Sequence, residues 1–411
     1  MSFNIRARFA LITLSSLLAL QARAAPLTLD ETAQLAMANQ PLISGQQAAI
    51  QAAQKNAIAA GQLPDPKLKL GISDLPITGA EAFSVRRDSF TEFKVGVSQD
   101  FPRAEKRRLR GGLAQLEAER DNEELEVIRR SIRRDAQLAW LEVFYPQRAI
   151  ELIQKQQLEA QAQSEAASIA YRAGKTSQAE VLAAQVALDL LQDREADFAR
   201  QAARGRAALT RWIGSDAARP LAALPEPVPA QAPRSLLAQV ENHPHLSYLD
   251  KQVAMAQTDV ALARQAYKPD WGLEVSYGNR PAFPDFFSLQ LSIDLPVFTK
   301  NRQDPALASK LSLLDKSRTQ KEDALRTLQA EAQRAYADWQ ADQERLQRYD
   351  GSILPQAKKR VAAALVDYQA GRGALNAVLD ARRAELDLQL QRLTLQVEAA
   401  RAQLQLQYFL Q

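Results

Sequence analysis

Few side chains in this sequence can do chemistry. Among its 411 residues there is no cysteine, and its two histidines, His243 and His245, flank Pro244. Without cysteine there is no disulfide, thiolate zinc site, iron–sulfur ligation or thiol nucleophile, and no N-terminal cysteine for lipid attachment. The histidine pair suggests a metal site, but two imidazoles with no convincing carboxylate beside them seldom suffice for tight binding. A structural turn at the start of a helix is the stronger reading. Met37 and Met255 lie too far apart in the sequence for a soft-metal relay. No nucleophile–base pair stands out, so an enzyme is disfavoured and neither a cofactor nor a resident metal is expected.

The elements that carry these residues are helical in composition. Hydrophobic residues make up 46% and aromatics only 6%, glycine is scarce at 15, and Ala, Leu, Gln, Arg and Glu abound. That favours long helices over a sandwich or a doubly wound sheet. Residues 1–24 read as a secretory signal peptide: Arg6 and Arg8, an apolar run from Phe9 to Leu20, then Ala22-Arg23-Ala24. A membrane anchor is the alternative, but the run is shorter than the roughly 20 residues a span requires. Removing the three arginines of the leader lowers the formal net charge from +4 to +1, so nucleic-acid binding has no electrostatic support.

The chain repeats itself. Asn39-Gln40-Pro41 returns as Asn242-His243-Pro244, and Pro66, Leu70 and Ser73 meet Pro269, Leu273 and Ser276 at the same offset of 203. The offset falls to 194, where Val95, Val97, Ser98, Asp100 and Pro102 match Leu289, Leu291, Ser292, Asp294 and Pro296. It settles at 197, where Tyr171-Arg-Ala-Gly174 matches Tyr368-Gln-Ala-Gly371. Ordered Pro, Gly and Asp matches indicate two copies of one unit, residues 25–219 and 234–411, joined by a proline-rich linker over 220–233.

Each unit reads helix, strand, loop, strand, very long helix, turn, helix. The first helix is expected over Leu29–Gln62, capped by Thr28 and Asp30, with its copy over Ser235–Tyr267. The long helix is expected over Ala104–Tyr171, with a stripe through Leu109, Leu113, Leu116, Leu125, Ile128, Ile132, Ala136 and Ala139. Pro146 should kink it or displace one turn, with Pro355 in the corresponding role in the copy over Pro305–Tyr368. Gly174 and Gly371 can adopt positive φ and end these helices.

The strands alternate with period two. Leu68, Leu70 and Ile72 oppose Lys67, Lys69 and Gly71; Phe93, Val95 and Val97 oppose Lys94, Gly96 and Ser98. Trp271, Leu273, Val275 and Tyr277 oppose Gly272, Glu274 and Ser276; Leu289, Leu291 and Ile293 oppose Ser288, Gln290 and Ser292. A membrane barrel with a watery lumen needs this pattern, and a soluble sheet packed on helices shows it too. Four strands cannot close around an aqueous pore, and open edges are forbidden in lipid. Three chains sharing one barrel would resolve that, with the long helices forming a hollow cylinder below.

The chain resembles the outer membrane efflux protein family, the TolC-like exit ducts, and within it the branch found with heavy-metal resistance-nodulation-division (RND) pumps, the CzcC and CusC type. The carriers are Leu63-Pro64-Asp65-Pro66-Lys67-Leu68, Gly71-Ile72-Ser73-Asp74-Leu75-Pro76, Val95-Gly96-Val97-Ser98-Gln99-Asp100-Phe101-Pro102 with Glu105-Lys106-Arg107-Arg108, and the twin Tyr-x-x-Gly turns. The resemblance implies a mainly α fold with a small β part, and a homotrimer forming a 12-stranded barrel in outer-membrane lipid on a long periplasmic α-helical barrel. It also implies a periplasmic adaptor (membrane fusion) protein and an inner-membrane RND transporter as partners. Tyr171, Gly174, Tyr368 and Gly371 would sit at the periplasmic tip that meets the adaptor. Asp380, nine residues after Gly371, and Glu180 in the first unit would be candidate gate carboxylates, three copies making a cation-attracting ring. The family's other frequent acidic place falls on Ala377. Many members carry an acylated cysteine after the leader, which is absent here. A duct for drug efflux or type I secretion is the near alternative, and a soluble periplasmic coiled-coil adaptor the distant one.

Overall fold

A computed structural model describes residues 25–226 and 233–410. The leader and residues 227–232 of the proposed linker lie outside them. The element order is α1 (Leu29–Asn39), α2 (Pro41–Ala60), β1 (Lys67–Ser73), β2 (Glu92–Phe101), α3 (Ala104–Arg172) and α4 (Gln178–Ile213), followed by the second unit. That unit comprises α5 (Pro233–Val240), α6 (Pro244–Gln265), β3 (Trp271–Asn279), β4 (Phe286–Ile293), α7 (Gln303–Arg348), α8 (Leu354–Gln369) and α9 (Leu375–Leu410). The fold is mainly helical with one small sheet, and the helix–strand–strand–helix–helix unit is duplicated.

The first helix of each unit is broken in two, contrary to the single helices expected over Leu29–Gln62 and Ser235–Tyr267. The break falls at the recurring Asn-x-Pro: Gln40 and His243 are extended, with ψ of 118° and 135°, and Pro41 and Pro244 open the next helix. Proline disfavours helical geometry in the residue before it and suits the first helical position itself. Thr28 caps α1 as expected, its hydroxyl accepting from the Glu31 amide at 3.1 Å.

Helix α3 has 69 residues and spans about 100 Å. It remains helical through Pro146 rather than losing a turn. A proline cannot donate to the carbonyl four residues back, that of Glu142. Helix α4 comes up against that group: a Cβ on Gly205 would lie 2.7 Å from the Glu142 oxygen. In the second unit the long helix is interrupted by a π-helical turn, Tyr349–Ile353, just before Pro355, and Arg392 of α9 grips Asp350 there at 2.8 and 3.1 Å. At the 197-residue offset Pro146 meets Gln343, so the two prolines do not occupy equivalent places. The seam of α3 also differs from expectation in its upper half. Leu109, Leu113 and Leu116 are half-buried, whereas Ala114, Ala118 and Leu125 are buried.

The main core lies midway along the molecule, where Trp140, Leu141, Val143, Phe144 and Ile153 of α3 meet Leu209 and Ile213 of α4 and Leu386, Leu390 and Leu393 of α9. Trp140 donates its indole N–H to the Leu27 carbonyl at 3.0 Å, and Leu27 bridges to Leu221. This ties the start of the described chain to the end of the first unit.

Candidate functional site

The four strands form one antiparallel sheet in the order β1-β2-β3-β4. The register places Leu70 opposite Val95, Val95 opposite Tyr277, Val97 opposite Val275, and Val275 opposite Leu289. All the apolar residues expected to share a face therefore do: Leu68, Leu70, Ile72, Val95, Val97, Leu273, Val275, Leu289 and Leu291. Among the described residues no helix covers that face. Leu70 exposes 70% of its surface and Phe287 73%, and only Leu273 of the set is half-buried. A continuous bare apolar face of this extent costs free energy in water and marks a surface meant for another medium or partner. Aromatic rings bound it at both ends, with Trp271 stacked on Phe101 at 4.2 Å near the helices and Tyr277 beside Phe287 near the loops. Aromatic girdles of this kind flank the apolar band of membrane barrels.

The opposite face is polar and closely paved. A Cβ on Gly96 would meet the Ser276 Cβ at 2.7 Å, one on Gly272 would meet the Ser292 Oγ at 2.8 Å, and one on Gly278 would run into the Glu92 carboxylate. Glycine and serine at these positions let the polar side curl inward, which a lumen requires and a flat sheet does not. Lys67 pairs with Asp100 at 2.9 Å and Lys69 with Glu274 at 2.5 Å. These cross-strand pairs escaped sequence reasoning, although the glycines at 96, 272 and 278 in the polar set were a visible signal of close approach there. The outer strands β1 and β4 each keep one edge unpaired within the chain. The connection between β1 and β2 is the longer one, and Arg280 of the short one donates to its Ser89 carbonyl at 2.6 Å.

At the other end of the molecule the two turns are built alike. Gly174 and Gly371 both have φ of +68°. The amide of Lys175 donates to the Ala170 carbonyl at 2.9 Å, and that of Arg372 to the Asp367 carbonyl at 2.9 Å, closing the two helix ends in the same way. The turns share a small core in which Tyr368 and Val181 pack on Ala167, Ala184 and Leu375. Tyr171 is exposed, so the two tyrosines do different work. Glu180 takes part in starting α4: its amide donates to the Ser177 hydroxyl, and its carboxylate accepts from Thr176. Asp380 is exposed on α9 beside Arg382 and Arg383, at a cleft of about 860 Å³ between α3, α4 and α9. The structure does not bring Glu180 and Asp380 into one ion-pair network; Arg382 pairs with Glu159, and Arg194 with Asp387.

His243 is fully buried at the start of α6, where its Nδ1 accepts from the His245 amide at 3.2 Å. Burial, and then the nearby Arg130, push its imidazole down to about 4. It is a neutral helix cap, as the turn reading expected. Asp342 of α7 was not anticipated: burial and the neighbouring Glu398 hold its carboxyl above the ordinary range, in a cleft that also contains Arg345 and Arg401. Among the described residues, no three His, Asp or Glu side chains gather as a metal-binding set. No described helix is long and apolar enough to cross a membrane.

Comparison with known proteins places this architecture. Residues 32–215 and 238–410 match the family described as outer membrane efflux protein. No individual curated protein is matched by the sequence. Crystal structures of CusC, described through its folding and transmembrane channel formation, superpose with a TM-score of 0.78 at 16% identity, covering 93% of this chain and 91% of that one. The CmeC outer membrane channel of Campylobacter jejuni gives 0.78 at 12% identity, covering 93% and 85%. The open-state MtrE outer membrane channel of Neisseria gonorrhoeae gives 0.73 at 17%, covering 93% and 88%. The family consists of passive outer-membrane efflux channels rather than enzymes, which also sets aside a soluble adaptor. With the family matched over both of its repeated units, the chain belongs to the outer membrane efflux protein family.

Proposed function

We propose that the chain is one third of a passive exit duct. Three copies join edge to edge, β4 of one beside β1 of the next, so that three four-stranded sheets close a 12-stranded barrel. The carrying observation is the sheet itself: a bare apolar face, a closely paved polar face and two open edges are together tolerated in lipid only in a closed barrel. Below it the long helices continue as a tunnel. Residues 1–24 direct export and are removed, and 220–233 link the two units. The exposed turns around Tyr171, Gly174 and Gly371 meet a periplasmic adaptor, with Tyr368 bracing the pair from inside. The adaptor couples the duct to an inner-membrane RND transporter, which supplies the energy. Asp380 faces the narrowed entrance, and Glu180 stiffens the turn beside it.

The cargo we propose is a heavy-metal cation, of the Co/Zn/Cd or the Cu/Ag group. Support comes from the segments around Pro64-Asp65-Pro66 and Ser98-Gln99-Asp100-Phe101-Pro102, which resemble the metal-pump branch. Fold likeness does not choose, since CusC and CmeC superpose equally well. Deleting the gene and measuring growth in Zn, Cd, Co, Cu and Ag beside a panel of drugs tests this. Hypersensitivity to one metal group, restored by the intact gene, is expected. Unchanged metal tolerance with new drug sensitivity would move the cargo to drugs.

A further inference from the structure

The polar face of the sheet carries three lysines, Lys67, Lys69 and Lys94, and three carboxylates, Glu92, Asp100 and Glu274, while β4 adds only Phe286, Ser288, Gln290 and Ser292. The charges therefore cancel within one chain, and two of the three lysines are also paired in space. Lys67 reaches diagonally to Asp100 on the adjacent strand. Lys69 reaches farther. It stands opposite Gly96, which stands opposite Ser276, yet its ammonium lies 2.5 Å from Glu274 on β3. That crosses two strand spacings, roughly 10 Å. The crossing is open because β2 has no side chain at Gly96, where a Cβ would already press on Ser276. The same device recurs with the acids: the Glu92 carboxylate lies over Gly278, and the Asp100 carboxylate lies beside Gly272. Lys69, Glu92 and Asp100 thus each reach along the wall over or beside a glycine of the neighbouring strand.

We propose that Glu274 determines the ion selectivity of the barrel: by taking up Lys69 across Gly96 it leaves the wall without net charge, so that a cationic cargo meets no barrier from the lysines. This rests on the polar face being the lumen. A charge on the wall acts on every ion that passes, and three related copies act together around one axis.

Planar-bilayer recording of the purified full-length protein, with reversal potentials read across a salt gradient, tests it. In about 10 mM salt, where the Debye length is roughly 30 Å, Glu274→Gln uncovers one positive charge per chain and should lower the cation-to-anion permeability ratio about fivefold. Lys69→Met should raise the ratio by a similar factor, and the double variant should return to the parent value. The entrance charges are the same in all four proteins and drop out of the comparison. Single variants that leave the reversal potential unchanged, or shift it in the same direction, would overturn the proposal. So would a double variant that keeps a single variant's shift. Should Glu274→Gln not assemble, the sign of the Lys69→Met shift decides alone. A parent protein that inserts no channel at all refutes the duct reading itself, a distinct result.

Discussion

Two neighbouring residues on β4 separate a lipid-facing apolar surface from one that is merely exposed. Leu289 faces the apolar side with 66% of its surface exposed, and Gln290, the next residue, faces the polar side and is exposed too. In water, arginine at either place should change stability by no more than about 0.5 kcal/mol, because neither side chain fills a core. In a barrel the two differ. From Trp271 to Tyr277 the apolar face covers six steps along β3, roughly 20 Å at about 3.4 Å each, close to the roughly 25 Å band of membrane barrels. Leu289 pairs with Val275, two steps from Tyr277 and four from Trp271, which puts it within roughly 3 Å of the middle of that band. Arginine near the midplane costs about 2–4 kcal/mol per chain, while lumen positions are tolerant. Leu289→Arg is therefore expected to lower the temperature at which the assembled, heat-modifiable form dissociates, and to lower the urea midpoint of the protein in lipid vesicles. Gln290→Arg should leave both near the parent values. If the two variants behave alike, or if Gln290→Arg is the more damaging, the assignment of faces is wrong and the duct falls with it.

Two further outcomes follow from the helical part. The imidazole of His243 is lowered from 6.5 to about 4, so the folded chain keeps it neutral while the unfolded chain takes up a proton below pH 6.5. Its contribution is complete above about 6.5 and is lost as pH falls toward 4, about 3 kcal/mol in all. Urea unfolding at pH 7.5 and 4.5 should show most of that loss, and His243→Asn, which keeps a capping acceptor, should remove it; an equal pH dependence in the variant would refute the assignment. Gly205→Ala places a Cβ 2.7 Å from the Glu142 oxygen and must push α4 off α3, at a cost of about 1–3 kcal/mol in thermal unfolding. Gly112→Ala, with nothing within 4 Å of its Cβ, should be neutral or should stabilise by up to about 1 kcal/mol.

What could be read from the chain beforehand divides along physical lines. Period-two alternation sets the face of every strand residue without reference to any neighbour, so the apolar set was legible to the residue. The turns at Gly174 and Gly371 were legible for a similar reason, since positive φ is a local demand that glycine meets. Proline was read less well, because its consequence depends on what packs beside it. At Pro146 that neighbour is Gly205, 59 positions away, and the helix stays whole; before Pro355 the chain instead adopts a π-helical turn held by Arg392. At Pro41 and Pro244 the recurring Asn-x-Pro was visible, but a helix boundary and a continuous helix with a proline in it share that pattern until ψ of the preceding residue is known. Pairing across strands was the least legible. A shift of one residue between β2 and β3 would turn every side chain to the other face, and a shift of two would keep the faces while separating Lys69 from Glu274. Alternation therefore specifies which residues share the apolar face, and only the register specifies which charges meet each other. The wall's neutrality is a property of the assembled sheet, with the glycines at 96, 272 and 278 as its trace in the sequence.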